Sequence, residues 1–570
     1  MKWLKKNEAL HSIEDVVTFN TGLSASELLN PKRDPYIENL DEAVEAVKQY
    51  IAQGLNIHIV GDYDCDGVMS TTVLYLGLKE AGIEASVRFP RRFSEGYGLS
   101  MKIIDEIDDG VIITVDNGIA AVDQVAAARA KGLKVIVLDH HLRRDDNVLP
   151  DADIIVDPNA LDGSEYNYYC GAGLAYRFVK KLVPDTPLME PLLVMASIAT
   201  VADVMELVGD NRNIVRDGLR AINRGNVTIG MKALLDELGT SHITEGDYGF
   251  KLGPIVNASG RLKDDGPLEV FNLIKVTSAS QGLNYFAELD ALTLQAKALI
   301  QTNVKRQDMV REAMVTVYRM IEENGLADKK PIILYNPVFS EGIIGILAGR
   351  IAEEYQTPAI VFTDSKTEGV AKGSGRTSGD IHLKNLLDEI SDVFVGYGGH
   401  AGAAGVSVKK DRLNELETRL SKKLAGVVST MPEPDRDTIY YDLEATVNAV
   451  PSLIKELHRF APFGQGNPQI MFRVDNFELS PRGKDFYKLM GNLKNHIRFY
   501  GINVSAVGFD MAERYKNEGE PKKMDLVGYL SQNWYMGKST DQIEIVDFIK
   551  KETNEKTEFF LGLESILVFQ

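Results

Sequence analysis

The sequence predicts an α/β protein built in several units: a helix-covered parallel sheet, a long connecting helix, a second and smaller α/β unit, and a terminal β-barrel. Three observations predict it. From residue 56 short β-branched runs alternate with Ala-rich helical stretches, the pattern of parallel strands joined by crossover helices. Glu288 to Asn324 repeats apolar residues at helical spacing without a Pro or Gly, which predicts one long helix. Beyond the Pro- and charge-rich stretch Met431 to Asp437 the runs become short and β-like, with frequent turn residues. A chain of 570 residues, 44% hydrophobic and with only two cysteines, can bury several cores without disulfides.

In order along the chain, strands are expected at Asn56 to Val60, Ser86 to Phe89, Val111 to Val115, Lys134 to Leu138 and Asp153 to Val156, with a helix at Ala120 to Lys131. Residues 160–285 read as mostly helical, broken at Gly171, Gly173 and Gly253. The second unit reads as the strand PIILYN, a helix through IIGILAGRIAEEY, the strand AIVFTD and a Gly-rich stretch ending in VGYGGHAGAAGVSV. The boundaries expected are an N-terminal segment at 1–50, the main α/β unit with its helical part at 51–285, the connecting helix at 286–326, the second unit at 327–430 and the barrel at 436–570. The last stretch, TEFFLGLESILVFQ, is apolar enough for a core element or a partner-docking segment, and a core element is expected.

The N-terminus has no apolar run long enough for a signal peptide, and no later stretch reaches ~20 uninterrupted apolar residues. A soluble, cytoplasmic protein is expected, with Cys65 and Cys170 as packing residues in a reducing compartment. A net charge of −19 speaks at first against a nucleic-acid partner. An acidic surface can nevertheless coexist with one basic groove, and a carboxylate cluster that binds divalent metals does not repel a metal-bridged phosphate.

The chemistry-bearing stretch is HIVGDYDCDGVMST, where a β-run ends in Asp62, Asp64 and Asp66 followed by Gly67. At the carboxyl end of a strand such aspartates can converge on a cation. An EF-hand would require Glu at the twelfth loop position, which is Val73; a solvated acidic turn remains the bland reading. Two further strands end in Asp116 (VIITVDNG) and in Asp139, His140 and His141 (KVIVLDHH), so distant residues can meet at one sheet edge. Asp203, after the apolar run ASIATVA, alone reads as a helix-end carboxylate. Carboxylates and imidazoles without thiolate favour Mn²⁺ or Mg²⁺ in a two-metal phosphoryl site over structural zinc.

DYDCDG, VDNG, LDHH and VADVMEL, in this order and spacing, resemble the four motifs of DHH phosphoesterases. The resemblance implies Asp64, Asp66, Asp116, His140 and Asp203 as ligands of two ions, Asp116 as the bridge, and Asp62 and His141 close by, His141 facing phosphate. Many members carry a histidine four residues before the first ligand aspartate, where this chain has Val60; the DYD-x-DG form resembles the RecJ branch instead. PRRFSEGYGLS resembles that branch's terminal-phosphate loop, implying Arg92. LGPIVNASGRL resembles its DNA-contacting segment, implying Asn257 and Arg261. EGIIGILAGRIAEEY, SGRTSG and GYGGHAGAAG resemble the companion DHHA1 domain, implying Arg376, Gly399 and His400 at the substrate; the family's histidine before EGIIGI is Ser340 here.

Taken as isolated residues, Arg92 could be a surface cation, Arg261 a loop cap and His400 a structural histidine in a tight turn. FAPFGQGNP resembles the linker into the branch's oligonucleotide-binding (OB) domain. Beyond it Arg482, Lys484, Lys488, Lys494 and Arg498 interleave with Phe486, Tyr487, Phe499 and Tyr500, a composition suited to phosphate tracking with base stacking or to ordinary strand alternation.

The resemblance thus implies a 5′-to-3′ exonuclease of single-stranded DNA in repair and recombination. Single-strand-binding protein and a helicase would be its partners, and it would act as a monomer away from membranes. Two rivals remain: a DHH phosphodiesterase of short oligonucleotides or cyclic dinucleotides, and a catalytically silent replication scaffold.

Overall fold

The computed structural model describes residues 1–551 apart from 144–146, 280–283, 380, 429–436, 492 and 536. The expected core element at TEFFLGLESILVFQ lies outside the described residues.

The first unit is a five-stranded, all-parallel sheet. Its spatial order is Ala85–Arg88, Ile57–Val60, Val111–Val115, Lys134–Leu138, Ile154–Val156. Val111–Val115 is buried throughout, as expected of a strand covered on both faces. One face packs under Leu40–Ala52, Cys65–Glu80 and Gly171–Leu182, and Met189–Ala202 packs onto the last two of these helices. The other is covered by Met101–Asp105 and Val122–Ala130. The last strand starts later than expected because the Asp153 carboxylate turns to accept from the Val135 N–H at 2.8 Å.

Strand order reverses between Ile57–Val60 and Val111–Val115, the first and third strands in sequence. In open α/β sheets the crevice outside the carboxyl ends at such a reversal is where ligands bind. Asp62, Asp64 and Asp66 follow the one strand and Asp116 follows the other.

The helix Tyr285–Glu323 leaves the first core and enters the second. The second unit is a five-stranded mixed sheet in the order Phe394–Gly399, Ala403–Lys409, Val370–Arg376, Ala359–Asp364, Ile332–Tyr335. Only the last two strands pair in parallel. Apolar clusters fill both of its faces.

The third unit is a seven-stranded sheet curled by the isolated bridge between Leu479 and Gly501 and by the Ser480 N–H, which donates to the Tyr500 carbonyl at 2.7 Å. Helix Val450–Phe460 packs into its core. So do the helices Ile13–Thr21 and Ala25–Leu29 from the other end of the chain. The strand Lys2–Lys5 pairs in parallel with Thr438–Tyr441, and Trp3 Nε1 donates to Asp547 at 2.7 Å. Among the described residues no helix is long and apolar enough to cross a membrane.

Candidate active site

Asp64 caps the helix Cys65–Glu80, accepting from the Gly67 N–H at 3.1 Å. Gly67 has no alternative here, because a Cβ would stand 2.5 Å from the Asp62 carbonyl oxygen. Asp66, buried in the first turn, accepts from the N–H groups of Gly171 (2.6 Å) and Ala172 (2.8 Å) at the start of helix Gly171–Leu182. Backbone donors at the start of that helix therefore fix this carboxylate in orientation. Asp116 takes a left-handed backbone, φ 60°. It is held by its own N–H to the Leu138 carbonyl (3.0 Å) and by the Tyr97 hydroxyl, which donates to its carbonyl (2.8 Å).

His140 brings the pieces together. Its Nε2 lies 3.1 Å from Asp116, 3.5 Å from Asp66 and 3.7 Å from Asp203. Asp203 ends the helix Met189–Ala202, and Val204 behind it is left-handed and exposed. Three trios have ligand atoms within 4.8 Å of one another: Asp62, Asp64 and Asp116; Asp66, His140 and Asp203; Asp116, His140 and His141. All seven acidic and histidine residues expected at the site thus meet at one sheet edge.

The electrostatics are those of carboxylates crowded together under burial. Burial and then the neighbouring carboxylates Asp66, Asp64 and Asp203 push Asp116 far above the ordinary carboxylate range. Burial with Asp66 and Asp64 does the same to Asp203, and burial with Asp64 to Asp62. Like charges packed in a poorly solvated pocket repel, and divalent cations relieve that repulsion. Burial and the neighbouring His141 lower His140, which favours the neutral imidazole that a metal takes. A set of buried carboxylates and one neutral imidazole, without thiolate, fits Mn²⁺ or Mg²⁺.

His141 differs. Burial opposes its charge, yet the Asp139 carboxylate, 2.7 Å from Nδ1, raises its pKa to about 10. Asp139 also accepts from the N–H groups of Ile119 and His140, so a buried carboxylate holds a cationic imidazole beside the cluster. Sequence reasoning placed Asp139 at the strand end but gave it no role, since only the fold shows which way the carboxylate points. Tyr97 was passed over too, although an aromatic five residues after Arg92 in the same loop was the available signal.

The residues expected at the substrate form a second group. Arg92 lies over the Tyr63 ring, 4.6 Å from its centroid, a cation–π contact. Asn257 accepts from the Cys65 N–H at 2.8 Å and braces the Asp64 turn. Arg261 lies in the last turn of helix Gly253–Leu262 rather than capping a loop. Gly342 of the second unit touches its carbonyl so closely that a Cβ would stand at 1.9 Å. Arg261 is within electrostatic reach of Arg92 and Arg376, and His400 of Arg376 and His141. Gly399, with φ 152°, turns the chain into His400, whose N–H donates to the Ala403 carbonyl at 2.8 Å. Ser340 accepts from the Ile343 N–H in the turn ahead of helix Ile344–Tyr355. The two lobes thus face each other with cations lining the gap beside the acidic cluster.

Comparison with known proteins agrees with this arrangement. The chain matches the DHH family, N-terminal domain, over residues 56–202, the DHHA1 domain over 328–426 and the RecJ OB domain over 441–547. It is 31% identical over 548 residues to the single-stranded-DNA-specific exonuclease RecJ of Bacillus subtilis, covering 93% of this chain and 66% of that protein. It is 33% identical over 411 residues to the exonuclease of the same name from Salmonella typhimurium, covering 68% and 69%. A crystal structure of exonuclease RecJ bound to manganese superposes with a TM-score of 0.59 at 28% identity, covering 71% of this chain and 98% of that one.

Proposed function

This chain belongs to the family of single-stranded-DNA-specific exonucleases called RecJ, and from that premise we propose that it hydrolyses phosphodiester bonds of single-stranded DNA stepwise from the 5′ end. The observation that carries the reading is the meeting, at the sheet's reversal point, of Asp64, Asp66, Asp116, Asp203 and His140, with a cation-lined gap between two lobes alongside. Those five would hold two divalent ions, Mn²⁺ or Mg²⁺, as manganese is bound in the similar crystal structure; when bound, such ions neutralise phosphate charge and make water acidic enough to attack.

The chain's own groups do the rest. Arg92, backed by the Tyr63 ring, binds the terminal phosphate and sets which end is engaged. Arg261 and Arg376 hold the phosphate under attack from the side opposite the carboxylates, and Asn257 keeps the Asp64 turn in place. His141, kept cationic by Asp139, donates a proton or a charged hydrogen bond to a phosphate oxygen as negative charge develops there. His400 and the Gly399 turn close the gap from the second lobe. The third unit, with Arg482 over Tyr500 and Lys522 over Phe486, gives the strand beyond the gap a surface of cations and rings.

Every ligand position is filled, which favours an enzyme over a silent scaffold, and the third unit exceeds what a dinucleotide substrate requires. We place the protein in the cytoplasm, in keeping with its two free, buried cysteines. There it acts as a monomer in repair and recombination, on strands exposed by a helicase or coated by single-strand-binding protein. The test is digestion of DNA labelled at either end in Mn²⁺, with Asp116→Asn as control and a dinucleotide alongside. Loss from the 5′ end that the variant lacks supports the reading. Cleavage of the dinucleotide alone moves the chain to the small-substrate branch, and no cleavage of either makes it a scaffold.

A further inference from the structure

The buried face of helix Tyr285–Glu323 changes partners along its length. Leu292, Ala296 and Leu299 belong to the first unit's core, and Val310, Met314, Val317 and Ile321 to the second's. Between the two sets, at i+3 and i+4 spacing on the same face, lie Thr302, Asn303 and Arg306. The polar break in the apolar stripe therefore falls where the helix crosses beneath the gap between the lobes. The helix packs against Gly253–Leu262, which ends in Arg261, and further along against Ile344–Tyr355, which carries Arg350.

Arg306 is held in place there. Its Nε and Nη2 donate to Asn303 Oδ1 at 3.1 and 2.9 Å. Arg261 senses its charge, and it senses that of Arg350. Arg376 lies over the same helix as Arg350, since a Cβ at Gly345 would stand 3.1 Å from its Nη2. Among the described residues, Arg92, Arg261, Arg306 and Arg350 have no carboxylate within ion-pair distance, although the chain as a whole carries a net charge of −19. Elsewhere the half-buried Arg88, Arg129, Arg473 and Arg514 all have acidic partners. Asp64 and Asp62 act on Arg261 and Arg92 only at longer range; neighbouring cations with no ion-paired carboxylate repel one another, and a polyanion relieves that repulsion.

We propose that Arg306 and Arg350 form a further phosphate subsite on the floor of the cleft, taking an internal phosphodiester of the bound strand beyond the phosphate that Arg261 holds. This rests on the single-strand reading given above, and it adds a contact that only substrates longer than the shortest can make.

The experiment compares 5′-phosphorylated oligothymidylates of two lengths, a dimer and a decamer, in steady-state hydrolysis at several salt concentrations, for the wild type, Arg306→Gln, Arg306→Lys and Arg350→Gln. Losing the Arg306 charge should raise KM for the decamer about 5-fold and leave kcat and the dimer unchanged. It should also flatten the dependence of log affinity on log salt by about 0.7, the value of one single-strand phosphate contact. Arg306→Lys should restore the slope. Arg350 is exposed, so Arg350→Gln folds and reads the same subsite should Arg306→Gln lose thermal stability. An unchanged decamer slope in both Gln variants overturns the proposal, and so does an equal loss on dimer and decamer. A wild-type enzyme that acts on neither substrate overturns the single-strand reading itself.

Discussion

Glu95 is expected to hold the loop that carries Arg92 in place, and replacing it by Gln should release the loop without touching the acidic cluster. Its side chain is 1% exposed and faces Arg88 Nη2 at 2.9 Å and Lys102 Nζ at 3.1 Å, while the Arg91 N–H donates to it at 3.0 Å. Burial alone would raise its pKa. The bonds from Arg88, Arg91 and Lys102 overcome that and bring it from 4.5 to about 2. A depression of that size corresponds to about 3 kcal/mol. Because the folded-state pKa is depressed, this stabilisation is complete above pH 4.5 and fades as the pH falls towards 2. The segment it secures carries Arg92 and Tyr97. Hydrogen exchange of the Arg91 amide reads the effect directly: at neutral pH Glu95→Gln should lower its protection by about 100-fold or more. KM for a 5′-phosphorylated strand should rise as Arg92 loses its place, with the Mn²⁺ affinity unchanged. The wild type should approach the variant's protection as the pH is lowered from 4.5. If the Arg91 amide stays protected at pH 7 in the variant, the ion-pair account of this loop is wrong.

Three more outcomes follow from the geometry. Gly171→Ala places a Cβ 2.7 Å from that of Asp116 and 3.0 Å from its Cα; it should cost about 1–3 kcal/mol in thermal unfolding and weaken Mn²⁺ binding in an electron paramagnetic resonance titration. Asp116→Asn and Asp116→Ala should both abolish hydrolysis, but Asn tolerates the left-handed backbone at φ 60°, so by differential scanning fluorimetry the Ala protein should be the less stable by about 1 kcal/mol. Mn²⁺ at a hundredfold excess over its Kd should stabilise the first unit by about 2.7 kcal/mol, seen as a higher Tm that EDTA reverses and that Asp116→Asn lacks.

The parts legible in the sequence are those governed by local periodicity. Val111–Val115 and Lys134–Leu138 appear as expected because short β-branched runs between Gly-rich turns allow little else. Helix Val450–Phe460 follows from its amphipathic spacing. The acidic residues were legible as a set because they follow strands or end a helix, and the parallel order turns those strand ends to one edge. What stayed hidden depends on direction or on distant pairing. Asn257 was expected at the substrate, and what no local pattern announces is that its Oδ1 also accepts from the Cys65 N–H, a bond joining residues 192 positions apart. Arg261 follows Gly260, whose role is to let its helix approach the Tyr63 carbonyl, where a Cβ would stand at 2.3 Å; a glycine before a cation reads locally as a loop. Nothing in Lys2–Lys5 announces a partner at Thr438–Tyr441.

That last pairing bears on how the molecule is made. The helices Ile13–Thr21 and Ala25–Leu29 leave the ribosome with apolar faces, Ile13, Val16, Val17 and Leu28, that are later buried against helix Val450–Phe460, more than 400 residues further along the chain. Until that helix is translated, the early segment has nothing to fold against, while the two α/β units between can already form. The third unit is therefore completed only when its own strands have emerged, by capture of a segment synthesised well before them. A fragment that starts after Leu29 but retains the final sheet would leave that core without part of its cover and prone to self-association. An affinity tag placed ahead of Lys2 would sit at the seam that locks the two ends together.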